Sequence, residues 1–175
     1  MNKFLFATLL LTLGLVFPAL ANSSDYRLGA GDEIEIKVFG QDDLYLKTTL
    51  ASDGRINFRF LGEITAVGTT KADLEKKIVK GLKGDYLIDP NVSVNIVSYR
   101  NFYIHGEVEK PGGYAFEPGL DINKAISLAG GLTERASKEK ILLVKEGADA
   151  SRPITVTLST SIGPGDTITI DKRFF

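Results

Sequence analysis

The sequence predicts an α+β fold of two β-rich modules, each with one helix. Three observations predict it. Most segments alternate apolar and polar residues with a period of two, as half-buried strands do. The period becomes helical over residues 74–82 and again over 122–129. The pattern Gly-x-Gly-Asp-x-Ile-x-Ile occurs twice, about 134 residues apart. The first copy is Gly29-Ala30-Gly31-Asp32 running into Ile34 and Ile36. The second is Gly163-Pro164-Gly165-Asp166 running into Ile168 and Ile170. Glycine permits the positive φ of a tight turn, and Asp hydrogen-bonds turn amides. A Gly-Asp turn before a strand is common, so turn chemistry alone accounts for either copy taken singly.

The elements follow in order. Residues 33–39 alternate Ile34, Ile36 and Val38 on one face. Residues 46–51 and 55–60 flank Asp53-Gly54, which predicts a hairpin between them. Residues 62–68 form a short further strand. Leu74, Ile78 and Leu82 then fall on one face of a helix, with Val79 beside them. Thr70 is the expected N-cap, and Asp73 lies near the positive helix end. The other face carries Lys71, Glu75, Lys76, Lys77, Lys80 and Lys83. It reads first as a solvated face and second as a docking surface for an acidic partner. After the Asp89-Pro90-Asn91 turn, Val92, Val94 and Ile96 alternate as a strand.

The best internal boundary falls at residues 99–101, giving modules 22–100 and 101–175. The second opens with a strand from Phe102 through His105-Gly106 to Val108. Pro111-Gly112-Gly113 is expected to turn it into Tyr114-Ala115-Phe116. Asp121 caps the second helix, Ile122, Ala125, Ile126 and Ala129 line its apolar face, and Gly130-Gly131 ends it. Strands at 141–144 and 154–158 lead to the closing Gly-Asp copy.

Residues 1–21 read as a secretory signal. Lys3 supplies the basic start, 4–17 is apolar, Pro18 breaks the run, and Ala19-Leu20-Ala21 is a cleavage site. The apolar run is shorter than the roughly 20 residues needed to span a bilayer. Cleavage would remove Lys3, leaving the formal net charge of −1 slightly more negative. No basic patch stands out, which argues against nucleic acid as a partner. There are no cysteines, so disulfides and thiolate metal sites are excluded. A lipoprotein is not expected either, because Asn22 would stand where the acylated Cys belongs.

Taken in order, these segments resemble the polysaccharide export family of the Gram-negative envelope. The residues that carry the resemblance to its export domain are Tyr26 to Asp32, Asp53-Gly54-Arg55-Ile56, Leu61-Gly62-Glu63-Ile64, Gly68-Thr69-Thr70, and Tyr86 through Asp89-Pro90-Asn91 to Val94. The second module resembles a soluble-ligand-binding β-grasp (SLBB) domain through Gly106-Glu107-Val108-Glu109-Lys110-Pro111-Gly112-Gly113-Tyr114 and Ala125 to Thr133. The resemblance implies a ring-forming homo-oligomer that passes capsular or extracellular polysaccharide out of the periplasm. It implies an inner-membrane polysaccharide co-polymerase as partner. Because no acyl Cys is present and only Lys172-Arg173-Phe174-Phe175 follow Asp171, it also implies a separate outer-membrane β-barrel protein. The location implied is the periplasm, against the outer membrane. The motif residues Gly29, Gly31, Asp32, Asp53, Gly54, Gly106, Pro111, Gly112, Gly130, Gly131, Gly165 and Asp166 read as architectural.

No catalytic residue, metal site or cofactor is expected, and the protein reads as a non-enzyme. His105 is the single histidine, and a structural role in its strand explains it. No Gly-x-x-x-x-Gly-Lys-Ser/Thr occurs. A glycosidase needs only two spaced carboxylates, yet Asp32, Asp53, Asp89 and Asp166 sit beside Gly or Pro, where turns account for them. The rival reading is a secreted carbohydrate-binding module without a transport role. Tyr99, Phe102, Tyr103 and Tyr114 would then stack on sugars; ordinary strand packing is the simpler account of them.

Overall fold

The computed structural model describes residues 26–173. The expected signal segment lies outside the described residues. Within them the fold is α+β, with ten strands and two helices in two apolar clusters.

In the first cluster, β1 (Glu33–Val38) is the central strand of a three-stranded antiparallel sheet, flanked by β2 (Leu46–Thr49) and β5 (Val92–Ser98). Ile34 and Ile36 point to one face and are fully buried. A short 3₁₀ turn, Asp42–Leu44, that the periodicity did not predict joins β1 to β2 and buries Leu44. Helix α1 (Lys71–Leu82) starts where expected: the Thr70 hydroxyl accepts from the Asp73 amide at 3.1 Å. It buries Leu74, Ile78 and Leu82 on one side. On the other, Glu75 leaves the solvated face to accept from the Val94 amide of β5 at 2.8 Å.

The expected hairpin across Asp53-Gly54 does not form. The turn is there, with Asp53 accepting from the Arg55 amide and Gly54 at φ +74. Its two arms enter different sheets. The end of β2 is held by the first Gly-Asp turn, where the Gly31 amide donates to Leu50 O and the Leu50 amide donates to Asp32 O. The chain beyond the turn runs into β3 (Arg55–Phe58), which pairs with β4 (Gly62–Thr65) instead. The Gly54 carbonyl accepts from Ala66 and Val67 beyond β4, closing that ribbon. Asp-Gly chemistry dictates the turn but not the partner strand, which here is chosen by non-local bonds.

In the second cluster, five strands run in the order β7-β6-β10-β8-β9. β6 (Phe102–Gly106) and β10 (Thr167–Lys172) are parallel; β7 (Gly112–Tyr114), β8 (Ala136–Val144) and β9 (Ile154–Val156) pair antiparallel to their neighbours. Ile168 and Ile170 bury themselves against α2 (Ile122–Leu128) and the sheet. Asp121 caps α2 by accepting from the Lys124 amide at 2.8 Å. His105 stands opposite Thr169 and pairs with its hydroxyl at 2.9 Å, a cross-strand pair.

Two glycine motifs meet here. Glu109 and Lys110 donate their amides to the carbonyls of Gly131 and Ala129, so the loop after β6 is fastened to the end of α2. Pro111-Gly112-Gly113 is not the turn expected of it. Gly112 and Gly113 lie within β7 without positive φ, and the Tyr103 ring rests over Gly113, where a Cβ would stand 3.0 Å from it. The demanding glycine is Gly106, at φ +88, whose added Cβ would collide with the Ile170 carbonyl.

Gly106→Ala should therefore lower stability by more than about 2 kcal/mol, while Gly112→Ala should change it by less than about 0.5 kcal/mol. Urea denaturation of the two variants checks the contrast.

Candidate functional site

Asp32 has no exposed surface. A buried carboxylate must be met by donors. Asp32 accepts from the Gly29 amide at 2.7 Å, the Tyr26 hydroxyl at 2.5 Å, the Arg100 amide at 2.8 Å and the Arg100 guanidinium at 3.2 Å. Asp166, 2% exposed, repeats the arrangement. It accepts from the Gly163 amide at 2.7 Å, the Glu146 amide at 3.1 Å and Lys145 Nζ at 2.7 Å. In both copies the Asp oxygens take an amide three residues back, an amide from a distant segment, and a cation.

The two distant amides belong to Arg100 and Glu146, and those residues face each other. Arg100 Nε lies 3.5 Å from a Glu146 carboxylate oxygen. The Gly-Asp turns are thus linked through one guanidinium. This explains two of the glycines. A Cβ on Gly29 would overlap the Arg100 guanidinium, and one on Gly165 would overlap the Glu146 carboxylate. Gly31 and Gly165 also need their positive φ, +95 and +82.

Backbone and aromatic contacts join the same place. Asn101 O accepts from the Gly165 amide at 3.0 Å, and Asp166 O accepts from the Tyr103 amide at 2.8 Å. Tyr99 stands edge-on to Tyr26 (5.0 Å) and to Phe116 (5.5 Å), so three rings run from one apolar cluster to the other. Burial, and then the hydrogen bond to Asp32, push the Tyr26 phenol far above its ordinary value of 10.0, so it stays a donor.

Between the turns opens a cleft of about 420 Å³ lined by Gly31, Tyr99, Arg100, Tyr103, Glu146 and Gly165. The structure divides the four aromatic candidates. Tyr99 and Tyr103 line this cleft, Tyr103 with half its surface exposed. Tyr114 borders a separate groove and donates its hydroxyl to Lys110 O. Phe102 is fully buried, stacked on Tyr114, and offers no ring face to a sugar. Arg100, Lys145 and Glu146 were not singled out in the sequence. Arg100 left one signal, as the lone cation in the short Tyr99-Arg100-Asn101 junction.

The comparisons with known proteins divide the chain at this point. Residues 20–97 match the model for polysaccharide biosynthesis/export proteins, and residues 101–157 match the SLBB domain. The chain carries a polysaccharide export domain followed by an SLBB domain. Its export domain ends, and its SLBB domain begins, on either side of Arg100. Among curated relatives, it is similar to the exopolysaccharide production protein ExoF of Rhizobium meliloti, 33% identical over 136 residues, which is 71% of this chain and 32% of that protein. It is also similar to the EPS I polysaccharide export outer membrane protein EpsA of Ralstonia nicotianae, 24% identical over 192 positions, covering 90% of this chain and 50% of that protein. The chain thus spans about a third to a half of the length of these relatives.

The unfolded Tyr26 phenol ionises near its ordinary value of 10.0, whereas the folded one holds its proton. The Tyr26 hydroxyl therefore contributes stability that is full below about pH 10 and declines above it. Tyr26→Phe should destabilise the protein by about 1–2 kcal/mol at pH 7, and the gap to wild type should narrow between pH 10 and 11. Denaturation midpoints of both proteins across that range check it.

Proposed function

We propose that this protein is an envelope component of a polysaccharide export machine, acting in the periplasm against the outer membrane. The observation that carries the reading is the order of the two domains, export then SLBB, in one chain whose relatives are named for exopolysaccharide production and export. The cargo is a capsular or extracellular polysaccharide. The protein works as a passive homo-oligomeric conduit, with energy supplied by synthesis and by an inner-membrane co-polymerase.

The fold suits such a part. Rigid sheets joined through a packed aromatic and ionic junction present a fixed shape for repeated assembly. No helix among the described residues is long and apolar enough to cross a membrane, a statement that does not reach strands. A separate β-barrel protein would complete the path across the outer membrane.

A clean deletion of the gene, complemented in trans, tests the reading. Polymer in the medium and on the surface should fall at least about tenfold and return on complementation. Unchanged external polymer would contradict the export role and favour a sugar-binding module without transport.

A further inference from the structure

The cleft at the junction of the two domains has features that architecture alone does not use. Gly31 and Gly165 line it without side chains of their own, so the Arg100 side chain and the Glu146 carboxylate pack close over their backbone. Tyr103 is supported from below by Gly113 and leaves half its surface exposed. Arg100 Nε is buried and makes no hydrogen bond. The group facing it, the Glu146 carboxylate, is 3.5 Å away with a side chain 51% exposed. A buried N–H left without a hydrogen bond calls for an explanation. About half of the Glu146 side chain faces solvent.

We propose that this cleft is a subsite for one uncharged pyranose unit of the polysaccharide, a claim that rests on the export reading. A sugar hydroxyl is both donor and acceptor. Placed between the two side chains as Glu146 swings out, one hydroxyl accepts from Arg100 Nε–H and donates to the Glu146 carboxylate. The vicinal hydroxyl reaches the second carboxylate oxygen, and the apolar face of the ring lies against Tyr103. The volume of about 420 Å³ falls within the range of small-ligand sites. Charge selects the neutral sugar. Asp32 and Glu146 together outweigh Arg100, and Lys145 is already committed to Asp166. A uronate would bring a further negative charge into that wall.

The test is nuclear magnetic resonance of the purified full-length protein, following Arg100 Nε–H and the Glu146 and Gly165 amides. The probes are methyl β-D-glucopyranoside, its galacto epimer, and sodium glucuronate at matched ionic strength. At least one neutral glycoside should shift these signals saturably, with a dissociation constant on the order of 1 mM. Glucuronate should bind at least about fivefold more weakly. Tyr103→Ala should weaken neutral binding about fivefold, the size of one lost ring contact, while the variant keeps the dispersed amide spectrum of a folded protein. Glu146→Gln should weaken neutral binding and abolish the discrimination against glucuronate. Absence of saturable shifts with both neutral glycosides, equal binding of glucuronate by the wild type, or unaltered binding by Tyr103→Ala would each overturn the subsite. Loss of export in the deletion strain alongside any of these results refutes the subsite alone; export unaffected by deletion refutes the export reading itself.

Discussion

Asp32 carries a charge into a place that water does not reach, and most of what surrounds it exists to meet that charge. Tyr26, Gly29 and Arg100 all donate to it. Arg100 comes from 68 residues downstream, so the carboxylate fixes the exit of β5 against the entry to β1. A buried ion pair contributes little net stability over an apolar substitute, but removing one partner costs about 3–5 kcal/mol. Its use here is geometric. It holds the junction segment at one angle, with Arg100 Nε aimed at Glu146 of the SLBB domain.

The second Gly-Asp turn does the same service on the far side. Asp166 holds Lys145 and the Glu146 amide at the end of β8, and its own carbonyl receives Tyr103 at the start of β6. Each Asp stands just before the central region of its sheet, ahead of β1 and of β10. The repeated motif is therefore one local solution used twice, and the two uses meet at Arg100. The proposed homo-oligomer would benefit from such a junction, because an error in the angle would be repeated at every subunit.

Much of this was legible in the sequence wherever the interaction is local. Thr70 and Asp121 cap their helices as expected, and both Ile-x-Ile pairs face inward. The Asp53-Gly54 turn was legible but its strand partner was not, because β3 pairs with β4 while β2 is claimed by β1. Gly113 looked like a turn residue and is a packing residue, a difference set by the Tyr103 ring above it. Of the candidate site, Tyr99 and Tyr103 were named, and burial removed Phe102. Arg100 was missed because nothing in its neighbourhood along the chain shows that two aspartates, one 68 residues before and one 66 after, turn toward the same place.

Arg100 fixes one orientation between the export and SLBB domains. Residual dipolar couplings of backbone amides measure it most directly. In the wild type, one alignment tensor should fit the amides of both domains. In Arg100→Gln each domain should still fit a tensor of its own, but the two should no longer coincide. Two unrelated tensors in the wild type, or one shared tensor in a folded Arg100→Gln protein, would mean that Arg100 does not set the orientation.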